Sequence, residues 1–266
     1  MQQLLSSAGG AAATAATYHL KSGGRRVRAR LAWQAGIALG LTEADAMVIA
    51  TVAECLHSAS LVHDDVQDDE MLRHDIPTVG AAYGTNVAIC TGDLFLSASY
   101  AALVKFSQPR LLPALISAVH AATAAAISGQ CAGFESPQEE RDSLEIYHQV
   151  AVEKSGALLS LPLELAFLAA EKTEWLPQVQ RAAEEFAVGY QMMDDLADAD
   201  RDGPVAMNVV VLLRAQGHGD QAAHIAHELG INHLTKAAQL AAELPHRAGE
   251  LLRELALSLA VDHRIS

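Results

Sequence analysis

The sequence predicts an all-α protein, a single domain over residues 1–266 built of roughly ten helices. Three observations lead there. Of the 266 residues, 51% are hydrophobic but only 5% are aromatic, so the apolar mass is mostly alanine and leucine, which favour closely packed helices over sheet. Several long runs carry almost no charge and read as helices. No segment apart from residues 209–213 offers a convincing β pattern.

The elements follow in order. Residues 1–20 read as a loosely specified helix. Lys21 to Arg30 is a basic run opened by Gly23-Gly24. Thr42 is placed to cap a helix that runs to about Asp69. Pro77 stops the chain there, and Gly80 and Gly84 mark a loop. Val87 to Phe106 is a second long helix, containing Asp93. Leu111 to Phe134 has no Asp, Glu, Lys or Arg over 24 residues, long enough to cross a bilayer. Its apolar content is mostly alanine, and Pro113, Ser117, His120, Thr123, Ser128 and Gln130 interrupt it. A buried central helix is the expectation, with no transmembrane segment. Ser136-Pro137 open a further helix ending near Ala170, which carries Lys154 and is kinked by Pro162. After a loop at Trp175 to Pro177 comes a helix from Val179 to Asp198. Val209 to Leu213 fits strand or helix equally. The last sixty residues read as two or three surface helices.

Composition bounds the function. A net charge of −14 argues against nucleic-acid binding and suits a protein that holds cations. Cys55, Cys90 and Cys131 show no framework spacing, which predicts buried thiols in a reducing compartment. The N-terminus lacks a basic region followed by an apolar one, so no signal peptide is read and a cytoplasmic location is expected.

The chemistry gathers at two acidic stretches. Asp64 to Glu70 holds four Asp and one Glu. Asp64, Asp65 and Asp68 stand at i, i+1 and i+4, so on a helix Asp64 and Asp68 share one face. Asp194, Asp195 and Asp198 repeat the spacing. Carboxylates this close repel one another and persist where a cation neutralises them. His57 lies seven residues before Asp64, and Gln191 seven before Asp198. Carboxylate-only clusters are hard oxygen ligands that suit Mg²⁺ shared with substrate phosphates, and the missing His and Cys ligands exclude zinc. Two such clusters on different helices can hold a diphosphate across a cavity lined by Ala, Leu and Val, which suits a hydrocarbon tail. Arg73, Arg25, Arg28 and Lys154 supply cations, and the glycines before Arg25 free backbone N–H groups for phosphate.

His57-Ser-Ala-Ser-Leu-Val-His-Asp64-Asp65-Val-Gln-Asp68, followed by Arg73, Pro77 and Thr78, resembles the first aspartate-rich region of the trans-isoprenyl (polyprenyl) diphosphate synthases. Tyr190-Gln191-Met-Met-Asp194-Asp195-Leu-Ala-Asp198 resembles their second. Gly23-Gly24-Arg25-Arg26-Val-Arg28 is similar to their basic homoallylic site, and Glu153-Lys154-Ser155-Gly156 to their K-T/S-G element. The resemblance covers about residues 20–203, with the motifs in the family's order.

The resemblance implies an isoprenoid-synthase-type bundle around a deep central cavity, usually a homodimer. It implies roughly three Mg²⁺ ions, two on Asp64 and Asp68 and one on Asp194, supported by Asp65, Asp195 and Asp198. Arg73, Lys154, Ser155 and Gln191 would meet the allylic diphosphate, with Arg73, Lys154 and Gln191 in catalytic roles. Arg25, Arg28 and His57 would bind isopentenyl diphosphate. Ala59 and Ser60 are small where relatives with short products often carry an aromatic, which implies a product of about twenty carbons (C20) or longer, with Tyr100 as the floor.

Two departures stand out. The family's paired arginines after the first cluster are here Arg73 and His74, and His74 is a pH-dependent phosphate partner. The family's lysines after the second cluster are missing, leaving Arg201. These departures motivate an alternative, a catalytically weak subunit of a heteromeric synthase. A class I terpene cyclase lacks its second motif here, and an HD-type phosphohydrolase using His57, His63 and Asp64 leaves the second acid cluster unexplained.

Overall fold

The computed structural model describes residues 1–6, 8–135, 143–199 and 207–262, apart from the side chains of residues 132–135, 154, 155 and 262. The helices in chain order are α1 (Gln2–Ser6), α2 (Gly10–Lys21), α3 (Val27–Ala38) and α4 (Glu43–Gln67). A two-stranded hairpin follows, β1 (Leu72–Arg73) and β2 (Ile76–Pro77). Then come α5 (Val79–Tyr83), α6 (Thr85–Leu103), α7 (Leu112–Glu135), α8 (Leu144–Ala151) and α9 (Ala157–Ala169). The chain closes with α10 (Leu176–Asp198), α11 (Val209–Leu213), α12 (Ala222–Ala242) and α13 (Glu250–Asp262). Among the described residues the three helices α1, α5 and α11 have five residues each. The remainder form the expected all-α bundle.

Local chemistry explains the long elements. Thr42 caps α4 by accepting from Asp45 N–H at 3.1 Å, and Asp45 in turn accepts from Ser107 N–H and Oγ, tying the start of α4 to the end of α6. Such caps contribute about 1 kcal/mol each. Against α4 pack α6, α3 and α9. On the other side α10 packs on α12 through two glycines: a Cβ on Gly189 would lie 2.8 Å from Leu234 Cγ. The main core runs through Leu56, Leu115, Leu165, Phe167, Phe186 and Leu234.

The central helix is α9, not the uncharged segment after Leu111. In α9 ten of thirteen residues are buried, whereas only 17% of the apolar window in Pro109–Cys131 is buried in the single chain. Ile116 and Ile127 stand 43% and 58% exposed on it. An alanine-rich helix packs closely on one side only when neighbours reach it, and here α9 covers one face. Among the described residues, three helices are long and apolar enough to cross a membrane by length and composition: α4, α6 and this one. The first two are 67% and 44% buried within the bundle.

Other expectations change in detail. Residues 1–20 form two helices, separated where Gly9 and Gly10 take positive φ. The stretch after Asp69 holds the hairpin and α5 rather than a plain loop. Ser136-Pro137 lies outside the described residues; the described helix begins at Leu144, capped by Ser143. Its irregularity is a π turn at Val152–Gly156, upstream of Pro162, which sits inside α9. Residues 209–213 are helical. Of the last sixty residues, α12 is no mere surface helix, since Ala226, Gly230, Leu234 and Ala237 are buried. Only Cys55 is a buried thiol, pushed up to about 12 by burial, while Cys90 and Cys131 are exposed.

Candidate active site

The first acid cluster ends α4. Asp68 is its C-cap, donating its backbone N–H to Asp64 O at 2.9 Å, and Asp69 turns out of the helix with φ 53°. The chain then doubles back through β1 and β2, with His74 and Asp75 at φ 51° and 63° forming the tight turn that right-handed hairpins favour. Thr78 Oγ1 donates to Glu70 O at 2.8 Å, and Tyr18 Oη on α2 donates to Pro77 O at 2.8 Å. Held this way, the hairpin lays Arg73 over Asp65. Arg73 Nε and Nη2 both donate to Asp65 Oδ1, at 2.8 and 2.6 Å. Asp65 is buried, Asp64 half-buried and Asp68 exposed. His74 is exposed in the turn.

Two glycines at φ 100° and 110°, Gly23 and Gly24, let the basic run bend into α3, a conformation that costs most other residues strain. Arg25 is exposed. Arg26 is used internally, donating to Leu20 O at 2.8 Å and pairing with buried Glu54 at 3.4 Å. Arg28 Nη1 lies 3.0 Å from His57 Nε2. A guanidinium only donates, so His57 accepts there as a neutral ring with its proton on Nδ1. Burial, then Arg28, His19 and Arg73, hold His57 well below the usual histidine range. Burial, then Arg73 and Arg26, bring His19 to about 4. Burial lowers Arg28 to about 10 against the pull of Glu54 and Tyr190.

Among the described residues, three enclosed polar atoms have no protein partner: Arg28 Nε, His57 Nδ1 and Glu54 Oε2. Buried polar groups are rarely left so, and two of these three belong to side chains already in contact, Arg28 and His57. On α10, Tyr190 lies within electrostatic range of Arg25, Arg28 and Asp194. Arg28 is thus linked to His57 on α4, nearly three turns before that helix ends, and lies within electrostatic range of Tyr190 on α10, about two turns before its end.

The second cluster ends α10. Asp194 is exposed, Asp198 half-buried and Asp195 buried. Asp195 is spent on protein contacts. Its Oδ1 accepts from Gln191 Nε2 at 2.8 Å; its Oδ2 accepts from Tyr147 Oη and Val209 N–H, both at 2.8 Å. Asn208 Nδ2 donates to the Asp195 carbonyl at 2.8 Å, while its Oδ1 accepts from Val210 N–H and so caps α11. Burial pushes the Asp195 carboxyl up, and the three donors oppose that. Tyr147 is raised by burial and by Asp195 itself. The backbone of Lys154 and Ser155 lies in the π turn, packed on α10 and α7; their side chains, and Arg201, lie outside the described residues.

Among the described residues, no three His, Cys, Asp or Glu side chains converge on one point. The donors at the two helix ends are carboxylate oxygens, the donor type Mg²⁺ takes when it keeps waters and shares its ligands with phosphates. His63 does not join His57 and Asp64: its ring turns to α6, with Nε2 3.3 Å from Ile89 O and 3.6 Å from Asp93. Ala59 is buried against α2 and α6 beside Phe95, Ser60 Oγ donates to His57 O at 2.9 Å, and Tyr100 packs half-buried against the main core. His19, Glu54, Tyr147, Phe95 and Asn208 were invisible as site residues. Only Asn208, standing before an apolar run, carried a readable cap signal.

A helical bundle with two aspartate-rich helix ends, and a buried arginine–histidine contact upstream of the first, has the fold class of the isoprenoid synthases. Solved structures agree on the fold: a geranylgeranyl pyrophosphate synthetase from Geoglobus acetivorans superposes with a TM-score of 0.83 at 21% identity, covering 94% of this chain and 92% of that one. A heptaprenyl diphosphate synthase from Staphylococcus aureus gives 0.83 at 19%, covering 98% and 94%. In sequence, the polyprenyl synthetase family model matches residues 11–208, and the chain belongs to that family. It is 34% identical to a geranylgeranyl diphosphate synthase of Cereibacter sphaeroides over 201 residues, 73% of this chain and 68% of the relative. It is 28% identical to the farnesyl diphosphate synthase of Escherichia coli over 248 residues, 88% and 79%. An all-trans-nonaprenyl-diphosphate synthase of Rhodobacter capsulatus is 29% identical over 184 residues, a match spanning 55% of that relative's length.

Proposed function

We propose that this chain is a prenyltransferase that joins isopentenyl diphosphate to an allylic diphosphate, head to tail, giving a trans-polyprenyl diphosphate. The observation that carries this reading is the pair of buried, unpartnered nitrogens, Arg28 Nε and His57 Nδ1, upstream of the first carboxylate cluster on α4 and within electrostatic range of α10, which ends in the second. Arg28, Arg25 and His57 bind isopentenyl diphosphate. Arg73, His74, Lys154 and Ser155 contact the allylic diphosphate, and Gln191 lies beside its reacting carbon. Asp64, Asp68 and Asp194 hold Mg²⁺, with Asp65 and Asp198 behind them. Bound Mg²⁺ neutralises the charge that grows on the departing diphosphate.

In the reaction the allylic C–O bond breaks and its electron pair leaves with the diphosphate. The isopentenyl double bond forms the new C–C bond, and a proton passes to the released diphosphate. The Gln191 carbonyl and the backbone carbonyl near Lys154 offset the cation's charge. The protein acts in the cytoplasm as a homodimer, with a second copy covering the apolar face of α7. The tail grows past Ala59 and Ser60 to a length of about twenty carbons or more, ending at Tyr100.

Purified protein incubated with Mg²⁺, isopentenyl diphosphate and a series of allylic diphosphates tests the reading, with products resolved by mass spectrometry. Turnover that requires Mg²⁺ is expected. No product from any primer would instead favour the catalytically weak subunit. Tyr100→Ala should lengthen the product; an unchanged length removes Tyr100 as the floor.

A further inference from the structure

We infer that Asp195 is a positioning residue that fixes which way the Gln191 amide faces, and not a magnesium ligand. The inference rests on the prenyltransferase reading for its kinetic consequence, but its geometry stands alone. The Asp195 carboxylate takes three donors: Gln191 Nε2, Tyr147 Oη and Val209 N–H. All three donate, so Asp195 acts as a pure acceptor.

The consequence for Gln191 is strict. A carboxamide has a donor end and an acceptor end. With its NH₂ held 2.8 Å from Asp195 Oδ1, its carbonyl oxygen must lie on the side away from Asp195. A flipped amide would set that oxygen against a carboxylate, two acceptors with no proton between them. The fixed end is thus the one a developing carbocation prefers, and Asp195 prepares it before substrate arrives. The same carboxylate ties α8 through Tyr147 and α11 through Val209, so the amide's support is itself held by two further helices.

Asp195→Asn tests this sharply. The asparagine oxygen can keep Tyr147 and Val209 N–H, but its NH₂ then faces Gln191 and forces the amide to flip. The fold should survive, and the site should now meet an NH₂. We expect kcat to fall roughly a hundredfold, the size of losing one electrostatic stabiliser. KM for both diphosphates and the Mg²⁺ half-saturation should stay within about twofold. In the double variant Asp195→Asn, Gln191→Glu, a carboxylate oxygen replaces the lost carbonyl, and kcat should recover by about tenfold or more.

A second readout needs no metal and no turnover. Hydrogen exchange of the Gln191 side-chain amide, followed by ¹⁵N NMR in metal-free protein, should be slow in the wild type and faster in Asp195→Asn. Equal exchange in both overturns the inference. So does a raised Mg²⁺ requirement with kcat restored at high Mg²⁺, which would make Asp195 a ligand. If the wild-type protein gives no product with any primer, the prenyltransferase reading fails while the exchange comparison still decides the amide's orientation.

Discussion

The two acidic clusters share one spacing and differ in how each middle aspartate is held. Asp65 is paired with a cation, Arg73, brought over by a hairpin whose side chain is itself 35% exposed. Asp195 is held by neutral donors from α8, α10 and the start of α11, with Tyr147 and Val209 buried and Gln191 half-buried. In both, the inner carboxylate organises the chain that follows, while the outer pair at i and i+4 faces outward. The lesson is that a repeated motif encodes two jobs. Its middle position anchors the next segment, and the proposed function gives the chemistry to its outer positions. The anchors differ in kind: one is an ion pair with a partly exposed cation, the other a set of neutral donors of which two are buried.

The largest expected effect separates outer from middle positions. Asp64→Ala should lower turnover by roughly a thousandfold or more, as for loss of a metal-holding carboxylate, while the urea midpoint hardly moves. A large drop in stability would place Asp64 among the anchors instead. Next comes Arg73→Ala, which leaves the carboxylate of Asp65, 3% exposed, without its cation. We expect a loss of about 2 kcal/mol in unfolding free energy, near the low end for a broken buried pair because Arg73 is partly solvated. An unchanged midpoint would show that water replaces the guanidinium at no cost. Tyr147→Phe removes one of three donors to Asp195 and should cost about 1 kcal/mol. Should it cost more than Arg73→Ala, the ranking of the two anchors is reversed.

At neutral pH the smallest effect is a pH slope on the first cluster's side, which grows only on acidification. His19, at about 4, and His57, well below its usual range, stay neutral in the folded chain. Unfolded histidines titrate near ~6.5. Below that pH the unfolded chain binds protons that the folded chain refuses, so stability is full above ~6.5 and declines as pH falls toward 4. Urea titrations at several pH values should show this, with a shallower slope in His19→Asn. An unchanged slope would remove His19 as a contributor.

Much of this architecture was readable beforehand, for identifiable reasons. Thr42 followed by an apolar-periodic run marked α4 within two residues at its end, because capping and periodicity are local. The acidic spacing and the Gly23-Gly24 run were equally local. What escaped depends on long-range contacts. Asp195 meets Val209 only because a distant segment returns to it. His19 is perturbed because the fold buries it and then brings Arg73 and Arg26 beside it. The α7 helix looked central because its sequence is apolar, yet composition alone does not say which neighbours will arrive to cover it. Pro162 drew the kink that the chain places ten residues earlier, since a wide turn leaves no signature residue.

That wide turn at Val152–Gly156 has a consequence of its own. A π turn holds one residue more than an α turn, so the stretches before and after it are out of phase by about 100° of rotation. Upstream, this offset is what aims a phenol at Asp195; downstream, it turns a leucine stripe toward the middle of the bundle. Deleting a single residue there would make the rod regular and force it to choose one alignment, stranding either the phenol or the stripe.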